Sequence, residues 1–554
     1  MEEEKCVGYL VGESFCDRFQ FVTTREKAPK RLEYVTIKGI ATPEEEVEVL
    51  AQVESLRAFS EVLDEHQEYE ATNKILGLNY VIPTQLIAEA RVLGYLDKNN
   101  NIQFPRSVAL PGSPVFLASD SLLQRFFSHG KSNSIEIGTL LYRPNVKVTL
   151  DPNGLRRHLA IIAQTGAGKS YLTGLLIEKL VKLGATILVF DPNSDYVLLR
   201  RKRNLKEFSS ISENVTIYRI PEIPTRFSEV EMGGIEKFSI KFNELEDEQI
   251  LEILGIDEKM TNIRNSIEHA LQELKSERRD FTPEDLYNKL SQYTGDIDEE
   301  EKTLSFDNYD IEIAKKHQKK TKLNEDLVNG ARKALKYVRW IKDYPIWGFE
   351  DIKLEKILKP SHITVVDLAG LEKNLMDLIV SHLLNEIWMK AKSEGLRYPL
   401  FIVLEEAHNF VPNDKENRGK SARLINTIAS EGRKFKVFLI VITQRPYKIS
   451  SNTLSQCGSQ IIMKLTNPND QNAVKEASEA LSESLFRDLP GLNIGEAVIV
   501  GNLTRVPVIV KIGDRETAEG GYDIDLEKEF EKARKDSLIS EEPFIPLQEM
   551  ESEI

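Results

Sequence analysis

Eight consecutive residues, Ala163-Gln164-Thr165-Gly166-Ala167-Gly168-Lys169-Ser170, place two glycines, a lysine and a hydroxyl between an apolar run and a segment of helical periodicity. Gly166 and Gly168 let the backbone turn so that its N–H groups and the helix N-terminus face an anion. In such a loop Lys169 reaches the β- and γ-phosphates of a nucleotide, and the Ser170 hydroxyl holds Mg²⁺. The first position of the usual G-x-x-x-x-G-K-[ST] pattern is Ala163, which costs little where no positive φ is required. ATP with Mg²⁺ is therefore the expected cofactor. Tyr171, next in the helix, and Arg157, just before the strand, complete the set expected around the phosphates, Arg157 as the weaker candidate for a contact within one chain.

A second apolar run, residues 400–404, ends in Glu405 and Glu406. In RecA-like ATPases the first such acid lies near the magnesium and the second polarises the attacking water, roles that Glu405 and Glu406 fit. A third run, 437–442, ends in Thr443-Gln444-Arg445-Pro446. Gln444 reaches the γ-phosphate as a sensor if this strand lies beside the one ending in Glu406; otherwise it belongs to a plain turn. Arg433, in Glu431-Gly432-Arg433, is either an arginine finger for a neighbouring subunit's nucleotide or a cation opposing its own helix dipole.

For nucleic acid, the cluster Lys415, Arg418, Lys420 and Arg423 is the local candidate. It would grip phosphates without reading bases, although a charge run is also what a solvated face looks like. The three cysteines, Cys6, Cys16 and Cys457, form no metal-ligand spacing, and the eight histidines are scattered. Magnesium carried by nucleotide is the one metal expected.

The elements that must position these groups divide the chain. Residues 1–150 show short strand-like runs separated by Gly, Pro and Asn, the pattern of a small β-barrel. From 151 to 240 buried strands alternate with helices. Residues 241–350 are Glu- and Lys-rich and helical in period, with a charged stretch at 296–302, and read as a helical insertion. Alternation resumes over 351–515, and 516–554 is an acidic C-terminal arm or tail. The predicted fold is α/β: a RecA-like P-loop NTPase core with a mostly parallel sheet, an N-terminal small β-barrel and a helical insertion.

Composition narrows the class. The 554 residues are 41% hydrophobic and 29% charged, as in a globular protein with a charged surface. There is no apolar run of membrane-spanning length and no secretory signal, so a cytoplasmic protein without a membrane partner is expected. A net charge of −15 argues against an exterior coated by nucleic acid. It leaves open DNA in an interior channel, where local charge sets phosphate attraction.

Taken in order, Arg157-His158, Glu405-Glu406-Ala407-His408, Glu431-Gly432-Arg433-Lys434-Phe435 and Thr443-Gln444-Arg445-Pro446, behind an N-terminal barrel, resemble the HerA family of hexameric DNA translocases, within the HerA and FtsK group. The stretches 454–456 and 493–497 fit as well. The resemblance implies a homohexamer with ATP at subunit interfaces, Arg433 acting in trans, and double-stranded DNA in the central channel. It further implies a NurA-type nuclease partner in end resection and repair, with the barrel facing it, and a C-terminal arm that embraces the adjacent subunit. Where the family commonly has Asp-x-His-Gly-Glu-Tyr, this chain has Asp191-Pro192-Asn193-Ser194-Asp195-Tyr196, which leaves room for a paralogue with another partner. The alternatives are a ring ATPase scaffolding an effector in antiviral defence, and a secretion or conjugation motor.

Overall fold

The computed structural model describes the chain except residues 1–4, 43–44, 61, 64–65, 78–83, 221–222, 278–279, 295–324, 349–351, 415–418, 479, 522–525 and 540–554. The N-terminal strands are β1 (Cys6–Ser14), β2 (Arg18–Thr23), β3 (Tyr34–Thr42), β4 (Glu45–Phe59), β5 (Gln85–Leu96), β6 (Ile102–Gln103) and β7 (Pro114–Leu117). They hydrogen-bond in the order β2-β1-β7-β3-β4-β5-β6, and β2 also pairs with β5. That last pairing closes β1–β5 and β7 into a six-stranded barrel, with β6 attached outside the closure to β5. Inside lie Val7, Phe21, Val35, Val49, Ala90 and Val115, contributed by alternate residues of successive strands.

A second, 12-stranded sheet is built from β8 (Ile135–Leu140), β9 (Arg143–Leu150), β10 (Leu159–Ile162), β11 (Thr186–Asp191), β12 (Val215–Arg219), β13 (Glu236–Lys237), β14 (His362–Asp367), β15 (Leu400–Leu404), β16 (Val437–Thr443), β17 (Ser459–Ile462), β18 (Glu496–Gly501) and β19 (Val508–Ile512). Its order is β13-β12-β14-β11-β15-β16-β10-β17-β18-β19-β8-β9. From β13 to β17 the pairings are parallel, and the rest are antiparallel. Every residue of β10, β11, β14, β15 and β16 is buried, as expected where helices cover both faces of parallel strands. Alternation splits the core in two. Ala160, Ile162 and Leu188 face the helices Lys373–Ser393 and Lys420–Glu431, whereas Leu159, Ile161 and Val189 face the helix Lys169–Lys182.

One boundary differs from the sequence reading. The segment 1–150 was expected to be a single unit, but β8 pairs with β19 and so extends the large sheet. Its alternating pattern resembles that of a barrel strand. Only the long-range partner, more than 350 residues away in sequence, decides which sheet it joins.

Between β13 and β14 the described residues include the helices Asp247–Ile253, Thr261–Glu277, Pro283–Thr294 and Glu325–Lys342. The last buries Ala331, Ala334, Val338 and Ile341, a stripe at helical spacing. Gly330 lets it close on its neighbour, since a Cβ there would meet Asn262 O at 2.1 Å. The charged stretch 296–302 lies outside the described residues. Among the described residues, no helix is long and apolar enough to cross a membrane.

Candidate nucleotide site

Parallel strands that share a direction end on the same edge of the sheet, and that edge gathers the site. Ile162 at the end of β10 pairs with Thr443 at the end of β16, and β15 runs parallel beside β16 with Leu404 opposite Val441. The loop 163–168, Glu405-Glu406 and Gln444 therefore emerge together. Gly166 has φ 76° and Gly168 φ 99°, values that L side chains rarely adopt, while Ala163 is not among the positive-φ residues. Ala163 is fully buried, so the alanine at the first motif position is a packed core residue requiring no special backbone.

Lys169 opens the helix Lys169–Lys182 and is 6% exposed. Its Nζ donates to Glu405 Oε1 and, at 2.8 Å, to Glu406 Oε1. Burial works to lower the ammonium's pKa, but the two carboxylates more than reverse that and hold it well above the ordinary lysine value. Glu405 is completely buried, and burial lifts its carboxyl above the usual range against the pull of Lys169. Tyr196 OH donates to its second oxygen at 2.6 Å.

Glu406 behaves differently although adjacent. Burial would raise it, but His408, whose Nδ1 is 3.3 Å from Glu406 Oε2, and Lys169 bring it down to about 2. Its backbone is left-handed, with φ 46°, strain that lets the chain leave β15 abruptly and turn this carboxylate to the loop. Gln444 completes the cluster. Its Nε2 donates to Glu406 Oε1 at 2.5 Å, and its Oε1 accepts from Thr165 Oγ1 at 2.5 Å. β16 does lie beside β15, and the side chain joins the phosphate loop to the second acid. Gln164 accepts from Thr466 Oγ1 at 2.8 Å, which fixes the start of the loop.

Next to the loop, Ser170 Oγ donates to Asp195 Oδ2 at 2.9 Å. Asp191, at the end of β11, accepts from the backbone N–H groups of Asp195 and Tyr196 at 3.0 and 2.8 Å and so shapes their turn. Burial, with Asp195 and Asp367 nearby, pushes Asp191 well above the usual carboxylate range. The roles of Asp195 and Tyr196 were not legible from motif spacing, although both follow a strand end as the acid pair does. The Ser170 hydroxyl and the Asp195 and Glu405 carboxylates are hard oxygen donors beside a lysine and a helix N-terminus. This donor set suits Mg²⁺ on a nucleotide phosphate.

Several expected residues lie elsewhere. Arg157 precedes β10, at the opposite edge of the sheet from the loop, and β10 alone separates the two edges by about 13 Å at the rise of a strand. A contact between Arg157 and phosphate within one chain is therefore ruled out by topology. Arg157 instead shares a cavity of about 530 Å³ with Arg156 and Arg433. Arg433 is exposed in the 3₁₀ turn Gly432–Phe435, before β16, and is likewise on the far edge. Tyr171 turns its hydroxyl to the backbone N–H of Arg515, which donates to it at 2.9 Å. Of the basic cluster, Lys415 and Arg418 lie outside the described residues. Lys420 pairs with Glu252 at 2.7 Å, and its burial lowers its pKa to about 8; Arg423 is exposed.

Comparison with known proteins gives the family of the chain. Residues 135–387 match the family model of the HerA helicase central domain, and residues 7–98 match that of the HAS barrel domain. A DNA double-strand break repair helicase HerA from Pyrococcus furiosus is 30% identical over 499 residues, covering 82% of this chain and 84% of its own. The chain belongs to the HerA helicase family. A probable helicase of Methanocaldococcus jannaschii is 31% identical over 545 residues, covering 96% of this chain and 95% of its own. The HerA of Sulfurisphaera tokodaii is 29% identical, with 96% and 97% covered. The HerA central-domain match spans the phosphate loop and begins at β8, the strand that joins the large sheet.

Proposed function

We propose that the protein is an ATP-driven translocase on double-stranded DNA that works as a homohexamer with a NurA-type nuclease in DNA end processing. The observation behind this reading is the division of one nucleotide site between two edges of one sheet. Lys169, Ser170, Glu405, Glu406 and Gln444 converge on the carboxyl edge, whereas Arg157 and Arg433 lie on the opposite edge, unable to reach their own loop. In a closed ring each subunit's arginine edge meets the next subunit's loop. The naming of relatives as DNA double-strand break repair helicases supports DNA as the track.

Lys169 is held by both carboxylates. Binding of ATP must draw its ammonium to the γ-phosphate, which frees Glu406 to orient a water for in-line attack. Gln444, bonded to both Glu406 and Thr165, transmits the presence of the γ-phosphate to that carboxylate. Ser170, Asp195 and Glu405 would hold Mg²⁺ carried by the nucleotide, and the ion would supply positive charge against the charge that develops on the phosphates. Arg433 of an adjacent subunit stabilises the same charge from outside.

The test is ATP turnover on a size-verified assembly, with and without double-stranded DNA, across a salt series. DNA should stimulate turnover, and the stimulation should fade steeply with salt because phosphate contacts release counterions. Equal turnover by a monomer and by the assembly, indifferent to DNA, would sink the reading.

A further inference from the structure

The segment after β19, residues 513–521, is a strap tied to one face of the phosphate-loop helix. Arg515 is at its centre and is 2% exposed. Its backbone N–H donates to Tyr171 OH, and its guanidinium donates to three oxygens: Nη1 to Ser170 O at 3.0 Å, Nη2 to Ala518 O at 2.8 Å and Nε to Thr517 Oγ1 at 2.8 Å. Glu178, two turns along the helix, accepts from Thr517 N at 2.8 Å, Thr517 Oγ1 at 2.6 Å and Glu516 N at 3.2 Å. Its carboxylate is 3.7 Å from Arg515 Nε and balances the buried charge. Between these contacts the helix carries Gly174, where a Cβ would be 2.1 Å from Arg515 Cζ. The missing side chain makes room for the guanidinium.

The far end of the strap reaches the other partner of Ser170. Gly520 N donates to Asp195 O at 3.1 Å, and a Cβ on Gly521 would be 2.1 Å from Asp195 Oδ1. Asp195 Oδ2 is the atom that accepts from Ser170 Oγ. One nine-residue segment thus grips the Ser170 carbonyl and backs the carboxylate facing the Ser170 hydroxyl. A buried guanidinium is costly unless its donors are satisfied, so its use here, on a backbone carbonyl of the phosphate-loop helix, calls for a local purpose.

We propose that Arg515 is a positioning residue for nucleotide-borne magnesium, fixing through the strap where the Ser170 hydroxyl and the Asp195 carboxylate point. The proposal rests on the ATPase reading above. Mg²⁺ demands near-octahedral geometry at about 2.0–2.1 Å from its oxygens, so a small drift of Ser170 or Asp195 weakens the metal while leaving the loop's own phosphate contacts in place.

Binding of a fluorescent N-methylanthraniloyl ATP to the full chain, followed by anisotropy across a Mg²⁺ titration and in EDTA, tests this. Arg515→Lys, Gly174→Ala and Gly521→Ala should each raise the Mg²⁺ concentration for half-saturation by about 10-fold or more, the scale of losing an outer-shell partner of a metal ligand. Affinity in EDTA should stay within about twofold, since Gly166, Gly168 and Lys169 are untouched. Equal losses with and without Mg²⁺ would reduce Arg515 to a structural role and overturn the proposal, as would unchanged Mg²⁺ dependence. If Arg515→Lys loses its cooperative melting transition, Gly174→Ala decides, because its one added methyl group displaces the guanidinium from the Ser170 carbonyl and removes no charged group. Wild-type protein that binds no Mg·ATP would overturn the ATPase reading itself. Wild-type-like Mg²⁺ dependence in the variants would overturn only the role of Arg515.

Discussion

Gln444 Nε2 lies 2.5 Å from Glu406 Oε1, and this hydrogen bond joins two residues from the ends of adjacent parallel strands, 38 positions apart. Because the same amide accepts from Thr165, the phosphate loop and the second acid are mechanically connected. Gln444→Ala should lower kcat by about 10–100-fold with little change in ATP affinity, since one oriented donor at the reacting centre is lost. Steady-state turnover beside nucleotide binding checks this. A rise in KM with unchanged kcat would make Gln444 a binding residue.

Glu406→Gln should bind ATP and fail to turn it over, by about 100-fold to 10,000-fold, because an amide cannot accept the water's proton. The carboxylate is held near pKa 2 and is ionised across the neutral range. The wild-type kcat/KM, which reports the enzyme with Lys169 still beside Glu406, should therefore show no acid limb from this group between about pH 5 and 8. Normal hydrolysis by the glutamine variant would move the water-polarising role to another residue.

Arg433→Ala should leave melting almost unchanged, because the side chain is exposed and substitutions at such sites stay within about 0.5 kcal/mol. Turnover should fall by about a thousandfold, the scale of losing a finger that touches the transferring phosphoryl group. Mixing Arg433→Ala with Glu406→Gln subunits should restore activity at interfaces that pair two intact halves. The absence of recovery in demonstrably mixed assemblies would assign Arg433 to its own helix end.

His158 should make the fold acid-sensitive. It is 3% exposed, its Nε2 bonds Ala429 O at 3.0 Å, and its Nδ1 accepts from Leu439 N at 2.9 Å, so its neutral form is fully used. Burial, reinforced by Arg433, lowers its pKa to about 4. Between about pH 4 and 6.5 the unfolded chain binds a proton here that the folded chain does not, so stability rises with pH through that window and is flat above it. The effect is worth up to about 3 kcal/mol. Urea midpoints measured from pH 4.5 to 7 should show the slope, and His158→Gln should lessen it while lowering stability overall. An identical slope in that variant would place the acid sensitivity elsewhere.

The local chemistry was legible in the sequence because it depends on neighbours in the chain. The glycines of the phosphate loop, the lysine and hydroxyl after them, and acids at the end of an apolar strand are set by backbone geometry and hydropathy over a few residues. The buried parallel strands were legible for the same reason, as short β-branched runs. The strand Glu45–Phe59 was not, because its few valines are interspersed with glutamates and other polar residues over 15 positions, and its pairing with β3 and β5 supplies the order.

Relations across long sequence separations were decided only by the tertiary structure. Arg157 is six residues before the loop yet on the wrong edge of the sheet for it, since a strand carries the chain straight from one edge to the other. Lys420, placed by the sequence in a basic cluster for nucleic acid, is paired with Glu252 from the helical insertion. Arg515 lies about 345 residues from Ser170, and no local pattern announces a guanidinium that passes over Gly174 to hold a carbonyl. Sequence fixes which groups can do chemistry, through spacing and polarity. Strand order, set by the burial of both sheet faces, fixes which of them meet.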